Sequence, residues 1–144
     1  MGIEIAKEAI DTAESWLETA NTMAGKGIYN TALYSEEMAV EIALKAVMLA
    51  VDVEPPKIHN IIEIMENNTL LSRKIPKEKY SDVKRIVRTL LPELLRSRQT
   101  SGYTFNYNID RKELKTLALK YLVASRDALN LCKNVIKEIG TAKK

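Results

Sequence analysis

Between Met38 and Val51, twelve of fourteen residues are apolar, and the two exceptions are Glu41 and Lys45. A stretch this apolar, with alanines at 39, 43, 46 and 50, reads as a helix apolar nearly all round, which belongs at the centre of a bundle. It is too short and too charged to cross a bilayer, which takes about 20 apolar residues. Glu41 and Lys45 stand one helical turn apart, in the favourable order for a pair worth about 0.2–0.5 kcal/mol on an exposed face. Burying either one unpaired costs far more. They are therefore expected to form a structural polar pair along a seam between helices or subunits.

Helical periodicity continues on both sides, and no strand alternation of useful length interrupts it. A first helix is predicted from about Ile3 to Met23, with Ala6, Ala9, Ala13, Trp16, Ala20 and Met23 inward and Gly25 and Gly27 at its end. The central helix is predicted from about Asn30 to Val51 and stops before Pro55-Pro56, since proline disfavours helical geometry in the residue before it. A short third helix carries Ile61, Ile62, Ile64 and Met65, with His59 or Asn60 as its cap and Asn67-Asn68 at its close. A fourth starts near Pro76 with Val83, Ile86, Val87, Leu90, Leu91, Leu94 and Leu95 as its stripe, and Pro92 is expected to kink or restart it. The last runs from the capping residue Asp110 to Gly140, with Leu114, Ala118, Tyr121, Ser125, Ala128, Cys132, Val135 and Ile139 inward. Five helices with short connections predict an all-α, antiparallel up-and-down bundle, a single domain over residues 1–144.

Charge is distributed unevenly. Residues 1–72 hold four lysines and twelve acids, a balance of −8, while residues 73–144 hold eighteen Lys or Arg and seven acids, a balance of +11. Such polarity favours docking of the two halves on each other, on a second copy, or of the basic half on a polyanion. One cysteine excludes an internal disulfide and a cysteine zinc site, and one histidine without clustered ligands gives no sign of a metal. No cofactor is expected. The acidic start Met1-Gly2-Ile3-Glu4 shows no signal peptide, so a cytoplasmic, membrane-free protein is expected.

Two stretches carry a family resemblance. Tyr34-Ser35-Glu36-Glu37-Met38-Ala39-Val40-Glu41-Ile42-Ala43-Leu44-Lys45-Ala46 resembles the second helix of the HEPN (higher eukaryotes and prokaryotes nucleotide-binding) family, with a Glu and a Lys-Ala step in an alanine-rich run. Pro55-Pro56-Lys57-Ile58-His59-Asn60 is similar to that family's proline-threonine-His-Asp junction, with Ile and Asn as departures. Many members resemble ribonucleases whose signature is an arginine, four to six residues, then a histidine near the start of the last helix, two copies meeting across a dimer to make one site. Here Arg98 matches the arginine best, with Arg96 as the alternative, and Tyr103 stands where the histidine falls.

The resemblance implies a homodimer that binds RNA or a nucleotide through a basic cleft near Arg98, with Arg96, Tyr103 and Tyr107 as further binding residues. Arginine grips phosphate through its planar fork. Histidine activates a 2′-hydroxyl because it titrates near neutrality, and a tyrosine, with a reference pKa near about 10, replaces it poorly. The protein is accordingly expected to be weak or silent in cleavage. Tyr103, Phe105 and Tyr107 alternate, so they either stack bases or pin their loop to the bundle. The family also implies a toxin–antitoxin pairing with a minimal nucleotidyltransferase. Two alternatives follow: a pure interaction partner of such an enzyme, and a metal-independent ribonuclease using Arg98 and Tyr103.

Overall fold

The computed structural model describes residues 2–102 and 110–142. Among them are six helices and no strand: α1 (Gly2–Gly25), α2 (Tyr29–Ala50), α3 (Ile62–Asn67), α4 (Thr69–Lys74), α5 (Lys77–Gly102) and α6 (Arg111–Ala142). The all-α bundle is as expected, with one short helix more. That helix, α4, exists because Asn68 does more than close α3. Its side-chain oxygen accepts from the backbone N–H groups of Leu70 and Leu71 at 2.9 and 3.2 Å, which caps a new helix.

The long helices alternate in direction. Gly140 near the end of α6 lies against Ile3 at the start of α1, and Arg111 at the start of α6 donates to the Gly27 carbonyl. Arg98 near the end of α5 reaches Tyr34 near the start of α2. α2 is central and packs against α1, α5 and α6. Ala32, Ala39, Ala43, Ala46 and Ala50 are fully buried along it, as are Leu33, Val40, Leu44 and Val47. The inward stripe of α6 from Ala118 to Ile139 is buried as its spacing predicts.

Two helix ends fall where the sequence reading puts them, at α2 and α1, and two expected breaks, at Pro92 and Gly140, do not occur. α2 stops at Ala50, well before the prolines, because Asp52 adopts φ 62° and the N–H groups of Asp52 and Val53 turn back to Leu49 and Met48 at 3.0 and 2.9 Å. This is a Schellman termination with aspartate in the left-handed position. Gly27, at φ 75°, ends α1 the same way, with the Ile28 N–H bonded to the Met23 carbonyl at 2.8 Å. Pro92 lies inside an unbroken α5. Gly140 is not a terminal cap: α6 continues through it to Ala142. Asp110 does cap α6, accepting from the Lys112 N–H at 3.0 Å. No helix among the described residues is long and apolar enough to cross a membrane.

Candidate functional site

Spacings of three, four and four along α2 place Tyr34, Glu37, Glu41 and Lys45 on one face, a polar stripe on a helix that is otherwise apolar from Met38 onward. Lys45 Nζ donates to Glu41 Oε2 at 2.9 Å and to the Ile58 carbonyl at 2.7 Å. The other Glu41 oxygen lies 2.9 Å from His59 Nδ1. One buried carboxylate therefore ties the proline junction to the central helix. His59 is not the cap of α3; the Asn60 side chain accepts from the Ile62 N–H at 3.2 Å.

Arg98 closes the other end of the stripe. Its guanidinium lies 4.7 Å from the centroid of the Tyr34 ring, and Nη2 donates to the Tyr34 hydroxyl at 3.2 Å. Trp16 meets Tyr34 edge-on at 6.0 Å, fixing the ring from below. Arg98 Nε stands 3.6 Å from Glu37 Oε2, wider than a hydrogen bond. The side chain is 20% exposed, enough for a ligand to meet part of the fork.

The acids of the stripe divide one proton between them. Burial pushes the Glu37 carboxyl up to about 9, and its hydrogen bond to Glu41 and repulsion by Glu41 add to this; Arg98 and Lys45 pull down but lose. Burial also acts to raise Glu41, yet hydrogen bonds from Glu37, Lys45 and His59 outweigh it and hold Glu41 below the ordinary carboxylate range. At neutral pH Glu37 is therefore the protonated member and Glu41 the charged one. The Glu37 contact with Arg98 is then ion–dipole rather than ion–ion.

Donor atoms of Glu37, Glu41 and His59 lie within 4.8 Å of one another, the one group of its kind among the described residues. The set fits a divalent ion poorly. Lys45 already occupies Glu41 at 2.9 Å, Arg98 stands beside Glu37, and a third positive centre would face both.

Arg96 and Arg98 are not brought together. Two positions along a helix are about 200° around it, and Arg96 instead lines a cleft of about 250 Å³ between α5 and α6, with Glu93, Ser97, Thr100 and Tyr121. Tyr121 donates to Glu93 Oε2 there at 2.8 Å. Burial, Glu93 and then Glu36 push the Tyr121 hydroxyl up to about 12. Glu36 is fully buried, neither oxygen has a hydrogen-bond partner among the described residues, and burial pushes its carboxyl up to about 9. A larger groove of about 830 Å³ between α1 and α6 contains no residue of the polar stripe. Tyr103 and Tyr107, like Phe105, lie outside the described residues.

Sequence reasoning missed Tyr34 and Glu37 as partners of Arg98, and Glu41 as the partner of His59. The signal was present in the three-four-four spacing. The long apolar run around it drew attention to Glu41 and Lys45 alone.

The fold and site together define the class: an all-α up-and-down bundle whose central helix carries a cation-bordered carboxyl stripe. The HEPN domain family model matches residues 6–139, which takes in the whole stripe, the proline junction and nearly all of the bundle. The chain belongs to the HEPN domain family. That membership supports a nucleotide- or RNA-related function in general terms. No curated protein and no solved structure matches the chain.

Proposed function

We propose that this HEPN protein is a cytoplasmic homodimer that binds RNA or a nucleotide at the α2–α5 face where Arg98 emerges, and that it cleaves RNA weakly or not at all. The observation that carries this is the state of Arg98. Its guanidinium is stacked on Tyr34, partly exposed, and beside a Glu37 that burial keeps neutral. A planar fork held flat against a ring and partly exposed suits a phosphate. The positive balance of residues 73–144 supplies the wider field. Leu119 and Val123, one turn apart on α6 and 44% and 57% exposed, support pairing of two copies. Tyr103 in place of the motif histidine supports weak catalysis.

The test is fluorescence anisotropy with a labelled single-stranded RNA at several salt concentrations. Arg98→Ala is expected to weaken binding and flatten the salt slope by about one unit, the share of one phosphate contact. Arg96→Ala, facing the α5–α6 cleft, reports whether that cleft also touches the strand. Affinity and slope unchanged in Arg98→Ala refute the reading.

A second reading has its own observation. Glu4, Glu8, Asp11 and Glu18 are all exposed on α1, and an acidic face of this kind suits a basic partner protein. In it the chain is one half of a toxin–antitoxin pair whose other half is a minimal nucleotidyltransferase. Co-purification of the two chains, lost when these four acids are replaced by lysine, is the result that favours it.

A further inference from the structure

The outward sides of α1 and α6 carry opposite charge. Glu4, Lys7, Asp11, Glu14 and Glu18 recur at spacings of three and four, which puts four acids and one lysine in a stripe along α1. Lys115, Leu119, Arg126, Asn130, Lys133 and Lys137 recur at four, seven, four, three and four, which puts four cations and no acid in a stripe along α6. The two stripes border the groove of about 830 Å³, whose apolar floor is Ile3, Ile10 and Ile136. Across it the helices make one ion pair, Lys133 Nζ to Glu14 Oε1 at 2.6 Å. The other charges of both stripes are exposed and form no ion pair among the described residues.

We propose that a second copy of this chain docks on the α1–α6 face, related by a half-turn about an axis parallel to the helices, so that α1 of each copy lies over α6 of the other. The inference rests on the homodimer reading above and names its interface. Such a half-turn exchanges left and right but keeps height along the helices, so the acidic stripe meets the cationic stripe twice. A half-turn about an axis across the helices lays α1 on α1 and α6 on α6, acid on acid and cation on cation. A partner of a single sign fits one stripe and is repelled by the other. The register agrees. The Glu14–Lys133 pair puts these two residues at one level, and Asp11 and Lys137 share the next turn, so Asp11 of one copy stands opposite Lys137 of the other. Docking also covers the isoleucine floor and the exposed Leu119. The face contains none of Tyr34, Glu37, Glu41, Lys45 and Arg98. The pair therefore holds two separate Arg98 faces, both open, rather than one site shared across the interface.

The experiment is light scattering on the full chain at several salt concentrations, with two charge-reversed variants. One carries Glu4→Lys, Asp11→Lys and Glu18→Lys; the other carries Lys115→Glu, Arg126→Glu and Lys137→Glu. All six positions are exposed, and circular dichroism checks that both variants fold. Each variant alone is expected to return the 16.3 kDa chain mass. An equal mixture is expected to return the dimer mass, because the reversed α1 of one copy then faces the reversed α6 of the other. The wild-type dimer is expected to bind about tenfold less tightly at about 0.5 M salt than at about 0.05 M, since salt screens exposed charges. Either variant remaining a dimer alone, or a mixture that stays monomeric, overturns the inference and leaves the homodimer reading standing. A wild-type dimer indifferent to salt does the same without need of a variant. A wild type that is monomeric at every salt concentration overturns the homodimer reading, and this inference with it.

Discussion

Glu36 offers the sharpest physical test of the buried acids. It is fully buried in α2, without a hydrogen-bond partner among the described residues, and its carboxyl is raised from 4.5 to about 9 by burial. In the unfolded chain the same group is ionised above about pH 4.5, so folding at neutral pH takes up a proton. The sign follows. With the folded value raised, the favourable contribution is complete below pH 4.5, falls as pH rises, and is lost above about 9. Between 4.5 and 7 lie two and a half pH units at about 1.36 kcal/mol each, so holding Glu36 inside costs about 3 kcal/mol at pH 7 relative to acid conditions. Glu36→Met, of similar volume and apolar, is expected to stabilise the protein by about 2–4 kcal/mol at pH 7 and by less than about 1 kcal/mol at pH 5. Glu36→Gln also abolishes the proton uptake but leaves a buried amide unsatisfied at about 1–3 kcal/mol, so it should be close to neutral. Urea unfolding of the three proteins at pH 5, 7 and 8.5 measures both terms. A destabilised Glu36→Met at pH 7, or a pH dependence identical to wild type, refutes the argument and means that the acid is ionised and paired in the folded state.

Gly27→Ala should destabilise by about 1 kcal/mol in a thermal melt, because an alanine at φ 75° is strained and its Cβ would stand 2.8 Å from Arg111 Nη2. Tyr103→His places an imidazole at the family's motif spacing from Arg98 and should raise cleavage of a quenched fluorescent RNA above the wild-type rate, measured at neutral pH. Light scattering should return about twice the 16.3 kDa chain mass, and Leu119→Glu with Val123→Glu should return the monomer.

The bundle was legible because the features that build it are local or periodic. The inward residues of α6 from Ala118 to Ile139 and the alanines of α2 follow directly from helical spacing. What failed were the causes of helix ends and two expected breaks, where short-range chemistry competes. The end of α2 was placed within one residue, but its cause is Asp52 and not Pro55-Pro56, since aspartate tolerates the left-handed conformation and two backbone N–H groups gain partners there. Asn68 reads equally as the end of one helix or the cap of the next, and only the bonds to Leu70 and Leu71 decide. Pro92 removes a single backbone bond, too little to divide a helix packed against both α2 and α6.

The site was legible only where its parts lie on one helix. Glu41 and Lys45 pair as the i,i+4 spacing suggests, but the partners that give them meaning come from 18 residues away in His59 and, through Glu37, from Arg98 near the end of α5. Arg96 and Arg98 looked like one basic patch because they are neighbours in sequence. On a helix that separation sends them to opposite sides, one to the Tyr34 stack and one to the α5–α6 cleft. The same geometry changes how the departure at Tyr103 weighs. A ribonuclease motif concentrates its arginine and histidine on one stretch of chain, and judged by that stretch alone this protein lacks an imidazole. The folded chain brings its single imidazole to the same carboxyl stripe by another route, from the proline junction across to α2, where its Nδ1 meets Glu41 at 2.9 Å. Neither the Glu41–His59 bond nor the protonated Glu37 between Glu41 and Arg98 is a property of any one segment. Both arise from three elements packed around a helix that was apolar enough to bury them.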